Sequence, residues 1–350
     1  MKDEVSGLRL IGQHGASELP SIVVDSYNLE LSDSSGFIGD RASKGAFRSY
    51  LDEERKLFAK SGEDPLGEED SASLSKKAID QHLIEDVEAA GIVFSAIERF
   101  SNELAGIIQR FLKVKEWKGT QRIVVGGGFR NSRAGEIAIG RASALLKRAG
   151  IDVKLCPIRH HPDEAGLLGA GHLAPAWMFA GHRALLAVDI GGTNIRVGLV
   201  RLRLKEASDL SRAEVVASDL WRHRDEKPSR EEAVAKLISM LAGMIDKAEA
   251  EDLALAPFIG IGCPGVIDAD GSIERGSQNL PGNWASSRFH LPTAIAEGIP
   301  TIAGCETMIL MHNDAVVQGL SEVPFMTDVE RWGVLTVGTG LGNARFTNRG

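Results

Sequence analysis

The chain has 350 residues, with 40 Lys plus Arg against 48 Asp plus Glu and a net charge of −8. At about 150 residues per domain, that length predicts two domains. Hydrophobic residues at 43% and charged residues at 25% supply a sizeable core, which excludes disorder as the default state. An acidic chain is a poor general binder of nucleic acid or anionic membrane, since phosphate affinity needs clustered Lys and Arg. A phosphate site here has to be local and built from backbone N–H groups.

Residues 1–20 read as a polar tail with no long apolar stretch, so no secretory signal is expected. Residues 21–31 (SIVVDSYNLEL) read as a strand followed by the turn SDSSG. Residues 41–60 are helical in composition, and 61–73 form an acidic, solvated connector. A long helical periodicity runs from about Lys76 to Lys113, carried by Ile92, Phe94, Ile97, Phe100, Leu104, Ile107, Ile108 and Phe111. QRIVVGGGF is a buried strand entering a glycine turn, NSRAGEIAIGRASALLKRAG a helix, IDVKLCPI a strand, and residues 163–174 a small-residue helix.

At 184 the pattern resets. ALLAVDI, GGTN and IRVGLV read as strand, turn and strand, and Ser229 with Glu232 forms a capping box before a helix. APFIGIGCPGVID is a buried strand ending in a Pro-Gly turn, and ETMILMHNDAVVQGL passes from strand to helix near Asn313 and Asp314. GVLTVGTGLGNARFTN closes as strand, glycine turn and strand. The mixture predicts an α/β protein. No apolar run approaches the roughly 20 residues of a membrane span. Cys156, Cys263 and Cys305 are dispersed, which argues against disulfides and a Cys-rich zinc site and for a reducing, cytoplasmic setting.

Two glycine hairpins share one design. In the first, Asp189 ends a strand and Gly191, Gly192, Thr193 and Asn194 turn the chain; the second has Gly338, Thr339, Gly340 and Gly342. Glycines let backbone N–H groups converge on an anion, and a carboxylate at a strand end can hold Mg²⁺ directly or through its water shell. Either hairpin alone is equally an ordinary turn; the pair reads as two clamps on a polyphosphate. Neither is a Walker loop, because no Gly-Lys-Ser/Thr follows. Gly126, Gly127 and Gly128, between a buried strand and a helix, are a third close-approach site or simply a tight turn.

Asp314, at a strand-to-helix junction, is the candidate general base for phosphoryl transfer to an alcohol, with a plain N-cap as the bland alternative. Asn279 and Asn283, beside Trp284 in GSQNLPGNW, suit a sugar's hydroxyls and its apolar ring face, or mark an exposed loop. His160 and His161 read as structural or surface residues.

Together these segments resemble the ROK sugar kinases, within the actin, Hsp70 and hexokinase superfamily, over nearly all the chain after residue 20. DIGGTNIRVGLV resembles the family's first phosphate loop, GIGCPGVIDADGSIERGSQNLPGNW its sugar loop, and HNDA its catalytic segment. GTGLGNARF is similar to the second phosphate loop, IVVGGG to the adenosine loop, and DEAGLLGAGHLA to the closing helix. The order departs from the family, since GGG at 126–128 precedes DIGGT at 189–193. The chain therefore reads as a circular permutation, with the family's usual termini fused around 175–184.

The resemblance implies an actin/Hsp70/hexokinase-like (ribonuclease H-like) two-lobed fold. Its expected divisions are a 1–20 tail, a nucleotide-side lobe of 21–183 plus 325–350, and a lobe of 184–324 with the first phosphate loop and the sugar loop. It implies ATP and Mg²⁺ as cofactors, Asp314 as base and Asn313 as a sugar contact. In place of the family's Glu-x-x-His sugar clamp stand Asp25 and Asn28, in VVDSYNLEL. The Cys-rich zinc motif is missing, and GDRASKGAFR resembles the zinc-free polyphosphate glucokinase branch. The acidic, Gly-rich stretch before the first phosphate loop does not resemble the helix-turn-helix of the ROK repressors. The expected activity is ATP-dependent phosphorylation of a hexose on the sixth carbon's hydroxyl. The alternatives are polyphosphate as donor, or a non-catalytic sugar or nucleotide sensor. The expected partner is a small-molecule sugar, without nucleic acid or membrane, and a homodimer is the candidate assembly.

Overall fold

The computed structural model describes residues 12–60 and 62–349. In chain order the main elements are β1 (Ile22–Tyr27), α1 (Lys44–Phe58), α2 (Lys76–Glu85), α3 (Val87–Phe111), β2 (Arg122–Gly126), α4 (Arg133–Arg148), β3 (Lys154–Pro157) and α5 (Pro162–Ala170). Then follow β4 (Ala184–Ile190), β5 (Ile195–Arg201), β6 (Glu214–Trp221), α6 (Arg230–Ala250), β7 (Leu255–Cys263) and α7 (Leu291–Gly298). The last are β8 (Met308–Asn313), α8 (Asp314–Leu320), β9 (Arg331–Val337) and β10 (Leu341–Asn348). No helix among the described residues is long and apolar enough to cross a membrane.

The elements form two compact units. One comprises Met1–Asn28, Asp163–Glu330 and Phe346–Gly350, the other Leu29–Pro162 and Arg331–Arg345. The first unit is built on a five-stranded sheet of order β8-β7-β4-β5-β6. Strands β4, β5 and β6 form an antiparallel meander, while β7 and β8 join parallel to β4. This βββαβαβ order is the ribonuclease H-like arrangement that the resemblance implied. The inner strands read as apolar runs because helices cover the sheet, and α6 buries Leu237, Leu241 and Met244 in the same core as Val188, Val197 and Ile261. The Ser229 side chain and Glu232 form the expected capping box at the start of α6.

Residues 163–183 belong to this unit, not to the other lobe as the sequence divided them. The reason is packing. A side-chain carbon at Gly169 of α5 would lie 1.7 Å from the Val317 carbonyl oxygen, and one at Gly260 of β7 would lie 2.7 Å from that of Ala170. Small residues on α5 and β7 therefore let this helix press against sheet and α8 at backbone distance.

The expected polar tail also ends earlier than its boundary. Residues 1–11 lie outside the described part, but 12–20 are tied down. Gly15 N–H donates to the Met311 carbonyl (2.9 Å), Met311 N–H donates to His14 Nδ1 (3.1 Å), and Leu19 is buried. The strand that starts after Ser21 neighbours the end of β10, as the permuted order requires. Arg349 N–H donates to the Ser21 carbonyl at 3.0 Å, and Thr347 Oγ1 donates to Asp25 Oδ2 at 2.9 Å.

In the second unit, β9, β2 and β3 run parallel in adjacent positions, and α3, α1 and α4 pack into one core through Phe47, Phe100, Leu104, Phe111 and Ile139. The periodicity seen from Lys76 to Lys113 is two helices, α2 and α3, because Asp86 is extended and its side chain caps Ala89 N–H.

Candidate functional site

In the first unit the parallel strands deliver their chemistry at their carboxyl ends, where open α/β sheets bind ligands. Asp189 on β4 stands in register with Gly262 on β7, and Gly262 with His312 on β8. A side chain at Gly262 would meet Val317 and the Asp314 Cα at 3.2 and 3.5 Å, so the glycine lets α8 begin directly over the strand ends. The cap of α8 is Asn313, whose Oδ1 accepts from Ala315 N–H (3.0 Å) and Val316 N–H (3.3 Å). Asp314 is therefore not the N-cap. Its carboxylate, bonded only locally to Ala315 N–H at 2.9 Å, is the one left for chemistry.

Burial, and then the charge of Asp189, push the Asp314 carboxyl up to about 7. Burial raises Asp189 to about 6, with Arg196 opposing and Asp163 adding to the rise. The Asp189 charge reaches Asp314, so the two buried carboxylates belong to one poorly solvated part of this unit. Arg196 holds this arrangement. It is 9% exposed, lies 2.7 Å from Asp163 and 3.8 Å from Asp189, and offsets part of the local negative charge. A side chain at Gly166 of α5 would strike the Asp189 carboxylate at 2.7 Å, so that helix closes the back of the site. Such a pair of acidic oxygens fits Mg²⁺, which takes one or two carboxylates and keeps several waters.

The first glycine loop is folded tightly. Gly191 N–H donates to the Asn194 carbonyl at 2.8 Å, and His223 Nε2 donates to the Gly191 carbonyl at 2.9 Å. Thr193 and Asn194 complete the turn. Gly192 abuts Asn279, whose Cβ would be 2.9 Å from an added side-chain carbon, so the structure brings the GSQNLPGNW segment against the first glycine loop.

Asn313 Nδ2 donates to the Gly265 carbonyl at 2.9 Å. Gly265 in turn touches Gly276, and Asn28 Nδ2 lies 3.3 Å from where a Gly276 side chain would start. Asn28 thus lies against the Gly265–Gly276 contact to which Asn313 also bonds. Its left-handed backbone, φ 50°, is one that Asn tolerates better than most residues. Asp25 is exposed, and its Oδ2 accepts from Thr347 Oγ1 at 2.9 Å. Trp284 is a correction, because it is fully buried, with Nε1 donating to the Pro281 carbonyl at 2.6 Å, and offers no ring face to a sugar. Asn283 is used in a local turn.

The second unit gathers the other glycines. Gly126 on β2 pairs with Thr336 on β9, and Gly127, at φ 81°, lies against the backbone of Val337. The GGG turn therefore sits beside the Gly338–Thr339–Gly340 turn. Gly338 N–H donates to the Gly340 carbonyl at 2.9 Å, the Gly338 carbonyl accepts from Lys44 N–H at 2.9 Å, and Lys76 Nζ donates to the Gly128 carbonyl at 2.6 Å. A cavity next to them is lined by Lys44, Phe47, Arg48, Lys76, Ile79, Phe129, Ser132 and Ala134.

Sequence reasoning missed Arg196, Asp163 and this cavity. Arg196 left a signal, a charge inside an otherwise apolar run that ends at Arg201; the cavity residues come from distant segments and left none. His161, read as structural, bonds Asn131 at 2.8 Å. Among the described residues, no group of three or more His, Cys, Asp or Glu side chains is placed to hold a metal.

No family model matches the chain. It is 28% identical over 166 residues to a glucokinase of Thermotoga maritima, which bears out the resemblance to sugar kinases. The match covers 47% of this chain and 44% of that protein, so the chain spans about half the length of the curated relative. Among solved structures it is similar to a candidate N-acetylmannosamine kinase of Listeria monocytogenes, at 23% identity, 47% of each chain and a TM-score of 0.33. An exopolyphosphatase of Cytophaga hutchinsonii matches at 16% identity, 47% of this chain, 50% of that one and a TM-score of 0.23. Overlays this loose carry no weight for the site.

Proposed function

We propose that the protein phosphorylates a hexose with ATP, and that Asp314 is the general base. The observation that carries this reading is the Asp314 carboxyl. It is raised to about 7 by burial and by Asp189, and it is left uncommitted because Asn313 caps the helix. A base matched to neutral pH, beside a second carboxylate and an anion loop, suits deprotonation of an alcohol as it attacks a phosphoryl group. Asp314 takes the hydroxyl proton. Gly191, Gly192, Thr193 and Asn194 present backbone and side-chain donors to phosphate oxygens. Asp189 would hold Mg²⁺, directly or through water, and the ion would neutralise charge on the transferring phosphate. Asn279, Asn28 and the second hydrogen of the Asn313 amide are the hydroxyl-binding groups, with Asp25 a candidate in the clamp.

ATP rather than polyphosphate is proposed as donor because IVVGGG, at Gly126–Gly128, resembles the family's adenosine loop. Gly338, Thr339 and Gly340 are the second phosphate-binding turn. The motif order, with the adenosine loop ahead of the first phosphate loop, is that of a circularly permuted ROK kinase, and the pairing of β1 with the end of β10 supports it.

The test is an ADP-release assay with a panel of hexoses and N-acetylhexosamines, run with ATP and separately with polyphosphate. ADP release that depends on one sugar supports the reading. No turnover with any sugar on either donor sinks it and leaves the sensor.

A further inference from the structure

One buried side chain next to the site has no part in the chemistry above. His312 is 1% exposed and immediately precedes Asn313 and Asp314. Its Nδ1 accepts from the Asn313 N–H at 2.7 Å, and its Nε2 faces the Ala16 carbonyl at 3.1 Å. A carbonyl only accepts, so Nε2 carries the proton and Nδ1 the lone pair. The two bonds together fix a single neutral tautomer. Burial, which lowers the imidazole to about 4, acts in the same sense.

The ring is also fixed in orientation. Tyr27 packs edge-on against it, centroids 5.0 Å apart at 72°, and the Tyr27 hydroxyl is held by the backbone of Ile267 at 3.3 Å on both its N–H and carbonyl. On the other side, His14 and Gly15 are bonded to Met311 on β8. Gly15, at φ 58°, passes so near the Ile267 carbonyl that an added side-chain carbon would lie 2.0 Å from it. His312 is thus where three segments meet: residues 14–16, the end of β1 that carries Asn28, and the start of α8.

We propose that His312 is a positioning residue for the acceptor site, acting through its bond to the Asn313 N–H. The imidazole fixes the Asn313 amide. Asn313 in turn caps α8 through Oδ1 and orients the Gly265 carbonyl through Nδ2, so the carboxylate of Asp314 and the sugar loop keep one relation. The kinetic part rests on the hexose-kinase reading; the structural part does not.

Two near-isosteric variants separate the roles. His312→Asn puts an acceptor where Nδ1 is and loses the reach to Ala16. His312→Gln reaches Ala16 and loses the acceptor for Asn313. The expected result is that His312→Asn keeps kcat within about threefold, while His312→Gln lowers kcat by about tenfold or more with sugar KM little changed, as misplacement of a reacting group does. Their melting temperatures should be similar, which a purely structural role would not combine with unequal kcat. Amide hydrogen exchange gives a readout free of activity: the Asn313 N–H should lose protection in His312→Gln and retain it in His312→Asn. Equal kcat in the two variants, or loss that follows melting temperature, overturns the positioning role. If the wild type phosphorylates no sugar, the functional reading fails alone, and equal Asn313 protection in both variants overturns the role of His312 by itself.

Discussion

Replacing Asp314 by Asn should move activity and stability in opposite directions. The amide keeps the size of the carboxyl but cannot accept the hydroxyl proton. Loss of a general base costs about 10²–10⁴ in rate, or roughly 3–5 kcal/mol of barrier. Stability goes the other way. The carboxyl rises from 3.8 to about 7 because its charged form is buried beside Asp189. Between about pH 4 and pH 7 the folded protein therefore holds a proton that the unfolded chain has released, and stability falls as pH rises through that window. The amide never ionises, so above about pH 7 the variant should be the more stable, by up to about 4 kcal/mol, with the difference closing toward about pH 4. The assays are ADP release on the best sugar and denaturant unfolding at about pH 5 and about pH 8. Wild-type kcat in the variant, or lower stability than wild type at the higher pH, would refute the reasoning. The same titration sets the wild-type profile, in which kcat/KM should fall about tenfold per pH unit on the acid side of 7.

Asp189→Asn removes the charge that raises Asp314, so the acid limb of kcat/KM should move to lower pH as kcat drops; an unmoved limb contradicts the coupling. Arg196→Met takes the cation from the buried Asp189, and loss of one partner of a buried pair should cost about 3–5 kcal/mol in chemical unfolding; a change below about 0.5 kcal/mol would mean the arginine is not holding it. Gly127→Ala is strained at φ 81° and strikes the Val337 backbone at 2.5 Å, so it should lose about 1–3 kcal/mol of stability together with nucleotide affinity. Gly340→Ala meets open space and should weaken nucleotide binding with stability unchanged, calorimetry and unfolding being the paired measurements. Equal stability of the two alanine variants would contradict the packing described for the GGG turn.

The strands and loops that carry the site were legible because their chemistry is local. A buried apolar run followed by Gly-Gly-Thr-Asn, or by Gly-Thr-Gly, fixes both the element and its turn. The junction at Asn313 and Asp314 was legible as a junction, but which residue caps and which is free is decided by Gly262 and Gly265, which lie about fifty residues earlier in the chain. Trp284 was misread because an indole near two amides looks the same in sequence whether its ring faces a sugar or the core. Residues 163–183 were assigned to the wrong unit because what places them is backbone contact at Gly169 and Gly260, and glycine leaves no hydrophobic pattern to read. Residues 12–20 look like a tail because their bonds are mostly main-chain, and main-chain bonds to a strand 290 residues away have no signature in side-chain composition. Phe47, Ile79 and Phe129 come from three separate segments, and nothing in the sequence signals their convergence.

The central claim is phosphoryl transfer to a sugar alcohol from a site built on Asp314. Phosphorus NMR of the protein with ATP, Mg²⁺ and the hexose panel tests it most directly, because it distinguishes the acceptor. The account predicts a sugar phosphomonoester and ADP in equal amounts from the wild type, and neither above background from Asp314→Asn. Free inorganic phosphate with no sugar phosphate, or the same sugar phosphate from Asp314→Asn at the wild-type rate, would contradict it.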